Sequence, residues 1–266
     1  MAKLFAITLL LLATASAFFL AAHQWMPLDI SATGGPIDRQ MWITILEAGG
    51  AFLLAQVLLA AFVWRFSASG TNRKIKKLPG GALGLIVAAI LLVGTEVVAL
   101  GVFGQRSWAG MFLSSASPGA LTVQVQAEQF AYYFRYPGPD EKLGPIHPGM
   151  MDDSAQNFFG LDRQHDAGSK DDIVTAEMAI PVNREINLLM RSKDVGHSFY
   201  VPELRLQQDF VPGMDLSLHF TATRIGTFEI ACTQLCGMGH YKMRARLIVM
   251  SEKDFIDWLK KKAAAQ

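Results

Sequence analysis

Three long apolar segments occupy the first part of the chain, and they restrict its architecture more than any other feature. They cover residues 4–22, 41–63 and 82–103. A helix needs about 20 apolar residues to cross the hydrocarbon core of a bilayer, so the second and third segments predict two membrane-spanning helices. The first segment also fits a secretory signal, because Lys3 precedes an apolar run and a stretch of small residues. Residues 1–22 are therefore either a signal peptide or a first membrane helix.

The linker between the second and third segments indicates how the chain is oriented in a membrane. It contains five cations and no acid: Arg65, Arg73, Lys74, Lys76 and Lys77. Short loops rich in Lys and Arg stay on the cytoplasmic side. Residues 41–104 are thus expected to form a transmembrane hairpin in a bacterial inner membrane, with the C-terminal part of the chain on the periplasmic side. Glu47 and Glu96 lie inside these spans, where a carboxylate is costly, and we interpret them as either facing another subunit or serving a proton path.

After residue 120 the pattern changes to short β-rich runs separated by turn residues. Eight runs predict strands: residues 121–129, 130–136, 173–180, 185–192, 197–201, 216–222, 226–231 and 243–250. Many short strands with regular turns predict an all-β sandwich or barrel, and we place this domain at residues 114–250. Ser251 has the sequence context of a helix N-cap, with Asp254 three residues later and lysines near the end. Residues 251–266 are therefore expected to form a short C-terminal helix and tail.

Two further features bear on the function: a long polar loop and the small net charge. Residues 138–172 are rich in Gly, Pro, Asp and Ser, and a loop of this length in a compact domain is usually functional or mobile. Its histidines, His147 and His165, have no neighbours at metal-ligand spacing and are interpreted as solvated. The formal net charge is +1, so the chain lacks the basic excess that marks nucleic-acid binding.

The only two cysteines of the chain lie in one short loop that concentrates soft metal ligands. Residues 232–243 contain Cys232, Cys236, His240 and Met243, and no Asp or Glu. Two thiols can form a disulfide in an oxidising compartment, but a disulfide does not require the imidazole and the thioether beside it. Thioethers are poor ligands for zinc. Copper uses thiolate, imidazole and thioether together, and the second thiolate suggests two coppers bridged by sulfur.

Several motifs, taken together, resemble subunit II of haem–copper cytochrome c oxidases. The sulfur pattern is Cys-x-x-x-Cys-x-x-x-His-x-x-Met, and a further imidazole, His197, lies in the motif Asp-Val-x-His-Ser-Phe-Tyr-Val-Pro that begins at Asp194. Another matching motif begins at Gln208 and reads Gln-Asp-Phe-Val-Pro-Gly. The resemblance covers essentially the whole chain after residue 40. It implies a cupredoxin-like β-barrel behind membrane helices, carrying the binuclear copper centre called CuA.

The resemblance also implies a role for each residue of the copper pattern. The implied ligands are the side chains of His197, Cys232, Cys236, His240 and Met243, with the backbone carbonyl of Gln234. In the family the two cysteines bridge the metals, each histidine binds one copper, and the methionine is a weak axial ligand. The family usually has Glu where this chain has Gln234, and that Glu side chain also helps to hold magnesium at the subunit boundary. Neutral Gln keeps the carbonyl but is a weaker partner for a hard cation, so magnesium is left open.

An aromatic segment resembles the place where electrons enter in the same family. Residues 129–136 read Gln-Phe-Ala-Tyr-Tyr-Phe-Arg-Tyr, where the family has Gln-Trp-Tyr-Trp-x-Tyr-x-Tyr. Phe130 and Tyr132 stand at the positions of the two tryptophans, the first of which receives electrons from cytochrome c. An aromatic stripe on a strand more often belongs to the core. The alternative is that Phe130 and Tyr132 lie at a docking surface for the electron donor.

The resulting expectation is a subunit of a respiratory terminal oxidase in which no residue makes or breaks substrate bonds. It accepts electrons from cytochrome c or a similar one-electron carrier at a binuclear CuA centre. It passes them to a haem–copper catalytic subunit, which with other oxidase subunits reduces oxygen and translocates protons. Two alternatives are the CuA subunit of a nitric oxide reductase and a membrane-anchored copper-delivery protein with a thioredoxin-like βαβ pattern.

Overall fold

The computed structural model describes residues 2–23, 25–66 and 82–266 of the chain. Within these ranges, three helices are long and apolar enough to cross a membrane. Their bounds, with those of a short helix that follows them, are Ala2–Ala22 (α1), Gly34–Phe66 (α2), Leu83–Ala99 (α3) and Gln105–Phe112 (α4). A π-helical turn at Leu100–Gly104 joins α3 to α4. The two predicted spans are confirmed, whereas four of the cations that indicate orientation, from Arg73 to Lys77, lie outside the described residues.

Helix α2 begins at Gly34, before the apolar run that starts at residue 41. The apolar run predicts only the part of the helix that lies in lipid. The helix also includes the more polar residues 34–40 before that run. Pro36 favours this start, because proline in the first turn has a preset φ and leaves no hydrogen bond unmade. Large apolar side chains of the spans point outward, with Phe52 55% and Leu85 72% exposed. Exposed apolar surface of this extent fits helices that face lipid.

Trp108–Gln266 forms a compact unit, to which Pro27–Gly35 also belongs. Within these fully described residues there are ten strands, with the bounds Leu121–Glu128 (β1), Ala131–Tyr136 (β2), Ile173–Thr175 (β3), Met178–Pro181 (β4), Glu185–Ser192 (β5), His197–Val201 (β6), Leu206–Phe210 (β7), Leu216–Thr221 (β8), Gly226–Ala231 (β9) and Arg244–Met250 (β10). They form two five-stranded sheets, in the orders β3-β2-β1-β5-β8 and β4-β10-β9-β6-β7. A final helix, Glu252–Ala263 (α5), is capped by Ser251, whose hydroxyl accepts from the Asp254 N–H at 3.1 Å. The predicted cupredoxin-like β architecture and terminal helix are confirmed.

Alternating burial shows how the two sheets share one core. Val123 and Val125 of β1 are fully buried, and so are Leu247 and Val249 of β10, at 0–1% exposure. Residues two apart point to the same face of a strand, so these side chains fill the space between the sheets. From residue 121 to 250, all of it described, turns and 3-10 helices connect the strands, and α-helices do not. This contradicts the βαβ pattern that the copper-delivery alternative requires.

Two strands differ from the sequence-based expectation. Residues 173–180, predicted as one strand, form β3 and β4, which pair with β2 and β10 in different sheets. The break is a turn in which the Thr175 hydroxyl donates to the Glu177 carbonyl at 2.6 Å, and there the chain crosses between the sheets. The sequence pattern also does not predict β7, because only its two ends are buried. In the pairing of β7 with β6, Phe210 lies opposite His197.

The strand directions bring the candidate ligands to one end of the sandwich, which we call the site end. There β1, β5 and β9 finish, and β2, β6 and β10 begin. Pro27–Gly35 lies at the opposite end, which we call the far end. An antiparallel bridge joins Ser31 to Ala222, and the Thr223 N–H donates to the Ile30 carbonyl at 2.7 Å. This short segment therefore extends the sheet beyond the end of β8.

The long polar loop of residues 138–172 is attached to the sandwich at several points. The ring of Phe158 stacks on Tyr133 with centroids 3.5 Å apart. Arg135, which is fully buried, forms an ion pair with Asp172, with its Nε 2.9 Å from Asp172 Oδ2. The two histidines of the loop are exposed, in agreement with their interpretation as solvated residues. The loop thus covers the outer face of the sheet at β2.

Candidate metal centre

Three neighbouring strands of the site end hold the candidate ligands. His197 is the first residue of β6, Cys232 directly follows β9, and Met243 directly precedes β10. Since β9 pairs with both β10 and β6, the loop of residues 232–243 returns beside the strand that carries His197. We call residues 232–243 the sulfur loop. The Cys232 N–H donates to the Met243 carbonyl at 3.2 Å and closes the base of this loop.

Sulfur and nitrogen donors converge inside the sulfur loop. The Sγ atoms of Cys232 and Cys236 are 3.9 Å apart, too far for a disulfide bond, and both cysteines are free. Cys236 Sγ lies 3.5 Å from His240 Nδ1 and 3.8 Å from Met243 Sδ. The ligand atoms of His197, Cys232 and Cys236 all lie within 4.8 Å of one another. The structure therefore brings together all five side chains of the sequence pattern.

Four of these five donor residues are buried, and His240 is half-buried. His197 is 0%, Met243 1% and Cys236 3% exposed. The backbone carbonyl of Gln234 accepts from Cys232 Sγ at 3.1 Å, although Gln234 itself is an exposed residue. The predicted carbonyl ligand is thus within reach of the sulfur pair. A site with so little water strengthens every electrostatic interaction inside it.

His197 has one ring nitrogen paired and the other left open. Its Nε2 lies 2.7 Å from Asp194 Oδ1, whereas its Nδ1 is buried and has no hydrogen-bond partner among the described residues. An unpaired buried polar atom is costly. A carboxylate on the second ring nitrogen is the usual companion of a metal-binding histidine, because it fixes the tautomer and orients the ring. The residues present therefore fit a metal ion on the Nδ1 side.

Burial also affects the protonation of Cys236. Burial, and then the neighbouring Cys232, raise the pKa of Cys236 to about 11. The pKa of Tyr132 is raised as well, first by burial and then by the charge of Cys232. The Cys236 thiol therefore keeps its proton at neutral pH in the absence of a cation. Because the thiolate is the ligand form, metal binding at this loop is expected to release protons.

The two aromatic residues considered for docking lie in different environments. Phe130 is 39% exposed and lies against the sulfur loop, where a side chain at Gly239 would place its Cβ 2.4 Å from the Phe130 ring. Tyr132 is 2% exposed, and its hydroxyl donates to the Ser198 carbonyl at 2.5 Å. A buried side chain cannot contact an external protein, so Tyr132 is a core residue and not part of a docking surface. Phe130 remains accessible.

Sequence reasoning gave no role to three polar residues that support the ligands. Gln129 Nε2 donates to the Cys236 carbonyl at 2.6 Å, Asp194 holds the His197 ring as described above, and the Thr233 hydroxyl lies 2.9 Å from Ser198 Oγ. Gln129 and Asp194 stand inside the motifs that carry the resemblance, which is the only signal that marks them. Their contacts join elements far apart in the sequence.

Comparisons with known proteins point in one direction. The family described as "Cytochrome C oxidase subunit II, periplasmic domain" matches residues 122–251. The alternative cytochrome c oxidase subunit 2 of Bradyrhizobium diazoefficiens is 32% identical over 263 residues, which cover 96% of this chain and 90% of that protein. Cytochrome c oxidase subunit 2 of Thermostichus vulcanus is 25% identical, over 99% of this chain and 86% of that protein. The crystal structure of the periplasmic domain of subunit II of cytochrome oxidase of Bradyrhizobium japonicum aligns with a TM-score of 0.42 at 23% identity, over 57% of this chain and 99% of that domain.

Proposed function

The chain belongs to the cytochrome c oxidase subunit II family, and from this membership we propose that it is the subunit at which electrons enter a respiratory terminal oxidase. It is a subunit of an oxidoreductase complex, anchored in a membrane and carrying a periplasmic domain. In the proposed role it lies in a bacterial inner membrane. It accepts electrons one at a time from cytochrome c or a similar carrier, and passes them to a haem–copper subunit that reduces oxygen and translocates protons.

The observation that carries this proposal is the convergence of buried soft donors at the site end. We propose that a binuclear CuA centre is held by the side chains of His197, Cys232, Cys236, His240 and Met243 and by the backbone carbonyl of Gln234. Copper prefers this mixture of thiolate, imidazole and thioether, and a single-copper site needs only one thiolate. When bound, copper supplies a one-electron redox couple. Magnesium is not part of the proposal, because the Gln234 side chain is neutral.

The chain's own residues prepare the site for electron transfer. The sandwich fixes both ends of the sulfur loop, at β9 and β10, and fixes His197 at the start of β6. Asp194 holds the imidazole through Nε2, which leaves Nδ1 open for a metal. Burial of Met243 and Cys236 excludes water. Ligands that are held in place before and after the charge changes keep the reorganisation small, which is the property that an electron relay needs.

The proposed donor site centres on Phe130. This side chain is partly exposed and touches the sulfur loop on its other face. An aromatic ring in this position shortens the distance between an external carrier and the candidate ligands. We therefore propose that the carrier docks over Phe130, while the buried Tyr132 supports the site from inside.

Copper content and spectroscopy of the purified full-length protein test the proposal. We expect two coppers per chain and an electron paramagnetic resonance spectrum in which one unpaired electron is shared by both. Cys232→Ser should remove this signal, because it deletes one of the two thiols that would hold the coppers. A single copper in the folded wild-type protein, or an unchanged spectrum in the Cys232→Ser variant, would contradict the proposed ligands.

The two methionines of the sulfur loop provide a matched pair for the weak ligand. Met243 is 1% exposed beside Cys236, whereas Met238 is 96% exposed. Met243→Leu should keep both coppers and change the reduction potential, since the axial ligand tunes the potential of such sites. Met238→Leu should leave the potential unchanged. Equal potentials in both variants would show that Met243 is not a ligand.

A further inference from the structure

The turn between β1 and β2 contacts two separate parts of the candidate metal centre. The side-chain Nε2 of Gln129 donates to the Cys236 carbonyl at 2.6 Å. The backbone N–H of Gln129 donates to Asp194 Oδ2 at 2.7 Å, and the other oxygen of that carboxylate, Oδ1, lies 2.7 Å from His197 Nε2. Gln129 is therefore linked directly to one candidate ligand and through Asp194 to another.

Asp194 needs both of its oxygens for this arrangement. Oδ1 accepts from the His197 ring nitrogen and from the Val195 N–H at 2.6 Å, and Oδ2 accepts from the Gln129 N–H. An ionised carboxylate accepts hydrogen bonds on both sides, whereas the amide of Asn accepts on one side and donates on the other. Asn at position 194 would preserve the shape but leave at least one of these three N–H groups facing an NH₂ group. The link from Gln129 through Asp194 to His197 therefore requires a carboxylate, and a side chain of the same size is not sufficient.

The sulfur loop is shaped to receive the turn. Gly237 has φ +131°, a conformation that favours glycine, and a Cβ there would lie 2.7 Å from Gln129 Nε2. A Cβ at Gly239 would lie 2.4 Å from the Phe130 ring. Side chains at either glycine would push the turn away from the loop. The two glycines thus let Gln129 reach the backbone of Cys236 and let Phe130 rest on the loop.

We propose that Gln129 and Asp194 are positioning residues for the copper centre. They hold His197 and Cys236 relative to each other, and they keep Phe130 against the sulfur loop. The inference rests on the proposed function, because it concerns the geometry of that centre. Neither residue is a ligand; each acts through a ligand that it holds. The shape of the centre and the path by which electrons reach it are therefore set by the same two side chains.

Two variants and one control test this role in the copper-loaded full-length protein. Gln129→Leu removes the contact to Cys236, and Asp194→Asn disrupts the bridge to His197. Gln207→Leu is the control, since Gln207 is exposed on β7, next to the strand that begins at His197. We expect both variants to show a shifted copper hyperfine pattern, a shifted reduction potential and slower reduction by ferrocytochrome c. The control should match the wild-type protein in all three.

Folding and positioning are separated by circular dichroism of the copper-free proteins. A variant that fails to fold loses the circular dichroism signal of its β domain. If Gln129→Leu does so, the positioning role is tested with the isosteric Asp194→Asn alone. A folded Asp194→Asn with wild-type hyperfine pattern, potential and rate would overturn the positioning role. In that case a two-copper spectrum of the wild-type protein would still support the proposed function. If the wild-type protein lacks that spectrum, the proposed function itself fails.

Discussion

The two ends of the β-sandwich are held together by different kinds of contact. At the far end, main-chain hydrogen bonds attach Pro27–Gly35 to the sheet. The Ile30 N–H donates to the Glu203 carbonyl, and the Ala32 N–H donates to the Thr221 carbonyl, both at 3.0 Å. Contacts of this kind need no particular side chain. Many sequences could close the far end in the same way.

At the site end, individual side chains make the connections. Tyr132 and Thr233 both hold Ser198, through its carbonyl at 2.5 Å and its hydroxyl at 2.9 Å. Asp194 holds His197, whose Nδ1 has no partner among the described residues. Every one of these links depends on a residue type. The site end thus differs from the far end because its side-chain contacts hold a set of soft metal donors together, with His197 Nδ1 open toward a metal.

The largest effect on the free energy of unfolding is expected at Ile30, in the segment Pro27–Gly35 at the far end. Ile30 is 0% exposed, and truncation of a buried Ile to Ala usually costs about 2–5 kcal/mol. We expect Ile30→Ala to lower the free energy of unfolding of the β domain by about that amount in denaturant titrations of the purified protein. Leu28→Ala, at a residue that is 53% exposed, should change it by less than about 0.5 kcal/mol.

A peptide experiment tests the same contact without a change in the domain itself. A fragment of residues 114–266 lacks the segment, so its far end is open. A synthetic peptide of residues 27–35 should raise the melting temperature of this fragment, because a ligand that binds only the folded state stabilises it. The same peptide with Ile30→Ala should not. Equal stabilisation by both peptides would show that backbone pairing alone closes the far end.

A smaller effect on stability is expected when the hydroxyl group of either of two tyrosines of β2 is removed, one near each end of the sandwich. Tyr132 donates to the Ser198 carbonyl at the site end, and Tyr136 donates to the Ala179 carbonyl at 2.8 Å near the far end. Removing the Tyr132 hydroxyl leaves a buried carbonyl unpaired, which costs about 1–3 kcal/mol. The Tyr136 hydroxyl also accepts from the Ala179 N–H at 2.8 Å, so its removal leaves two backbone groups unpaired. In denaturant titrations, Tyr132→Phe should therefore destabilise the protein by about that amount and Tyr136→Phe by at least as much.

The two tyrosine variants should differ in the copper spectrum. Ser198 follows His197 directly, so only Tyr132→Phe is expected to shift the hyperfine pattern. If Tyr136→Phe shifts it equally, the two ends are coupled through the core and do not act independently. If neither variant shifts it, Tyr132 only supports the fold.

The difference between the ends also explains what could be predicted from the sequence. Soft ligands at fixed spacing have few other uses, so the sulfur loop and His197 could be identified before the structure. Alternating or β-rich runs separated by turn residues predicted most of the strands, because few other structures use such short runs. The segment Pro27–Gly35 and strand β7 could not be predicted, because backbone pairing leaves no mark on residue type. Gln129 could not be assigned a role, because its contact with Cys236 forms only in the folded protein.

The smallest effect is expected from an ionisable group of the far end. Glu185 begins β5, and its Oε2 accepts from the Ser117 N–H at 3.1 Å, while its Oε1 lies 2.9 Å from His219 Nδ1. The hydrogen bond from the Ser117 hydroxyl, above all, lowers the pKa of Glu185 below its usual value. A carboxyl group whose pKa is lower in the folded than in the unfolded state stabilises the fold above the unfolded pKa. That stabilisation is lost as the pH falls through the folded pKa.

Melting temperatures measured below about pH 4.3, the usual pKa of Glu, test this sign. Glu185→Gln should make the acid-side decrease in melting temperature less steep, because one linked proton is removed. Ser117→Ala should also make the decrease less steep and should lower the melting temperature above that pH, because the pKa of Glu185 then returns toward its usual value. Profiles identical to that of the wild-type protein would show that this carboxyl group does not contribute. Since both residues lie at the far end, neither variant should alter the copper spectrum, and a shift there would mean that a change in charge at one end reaches the ligands at the other.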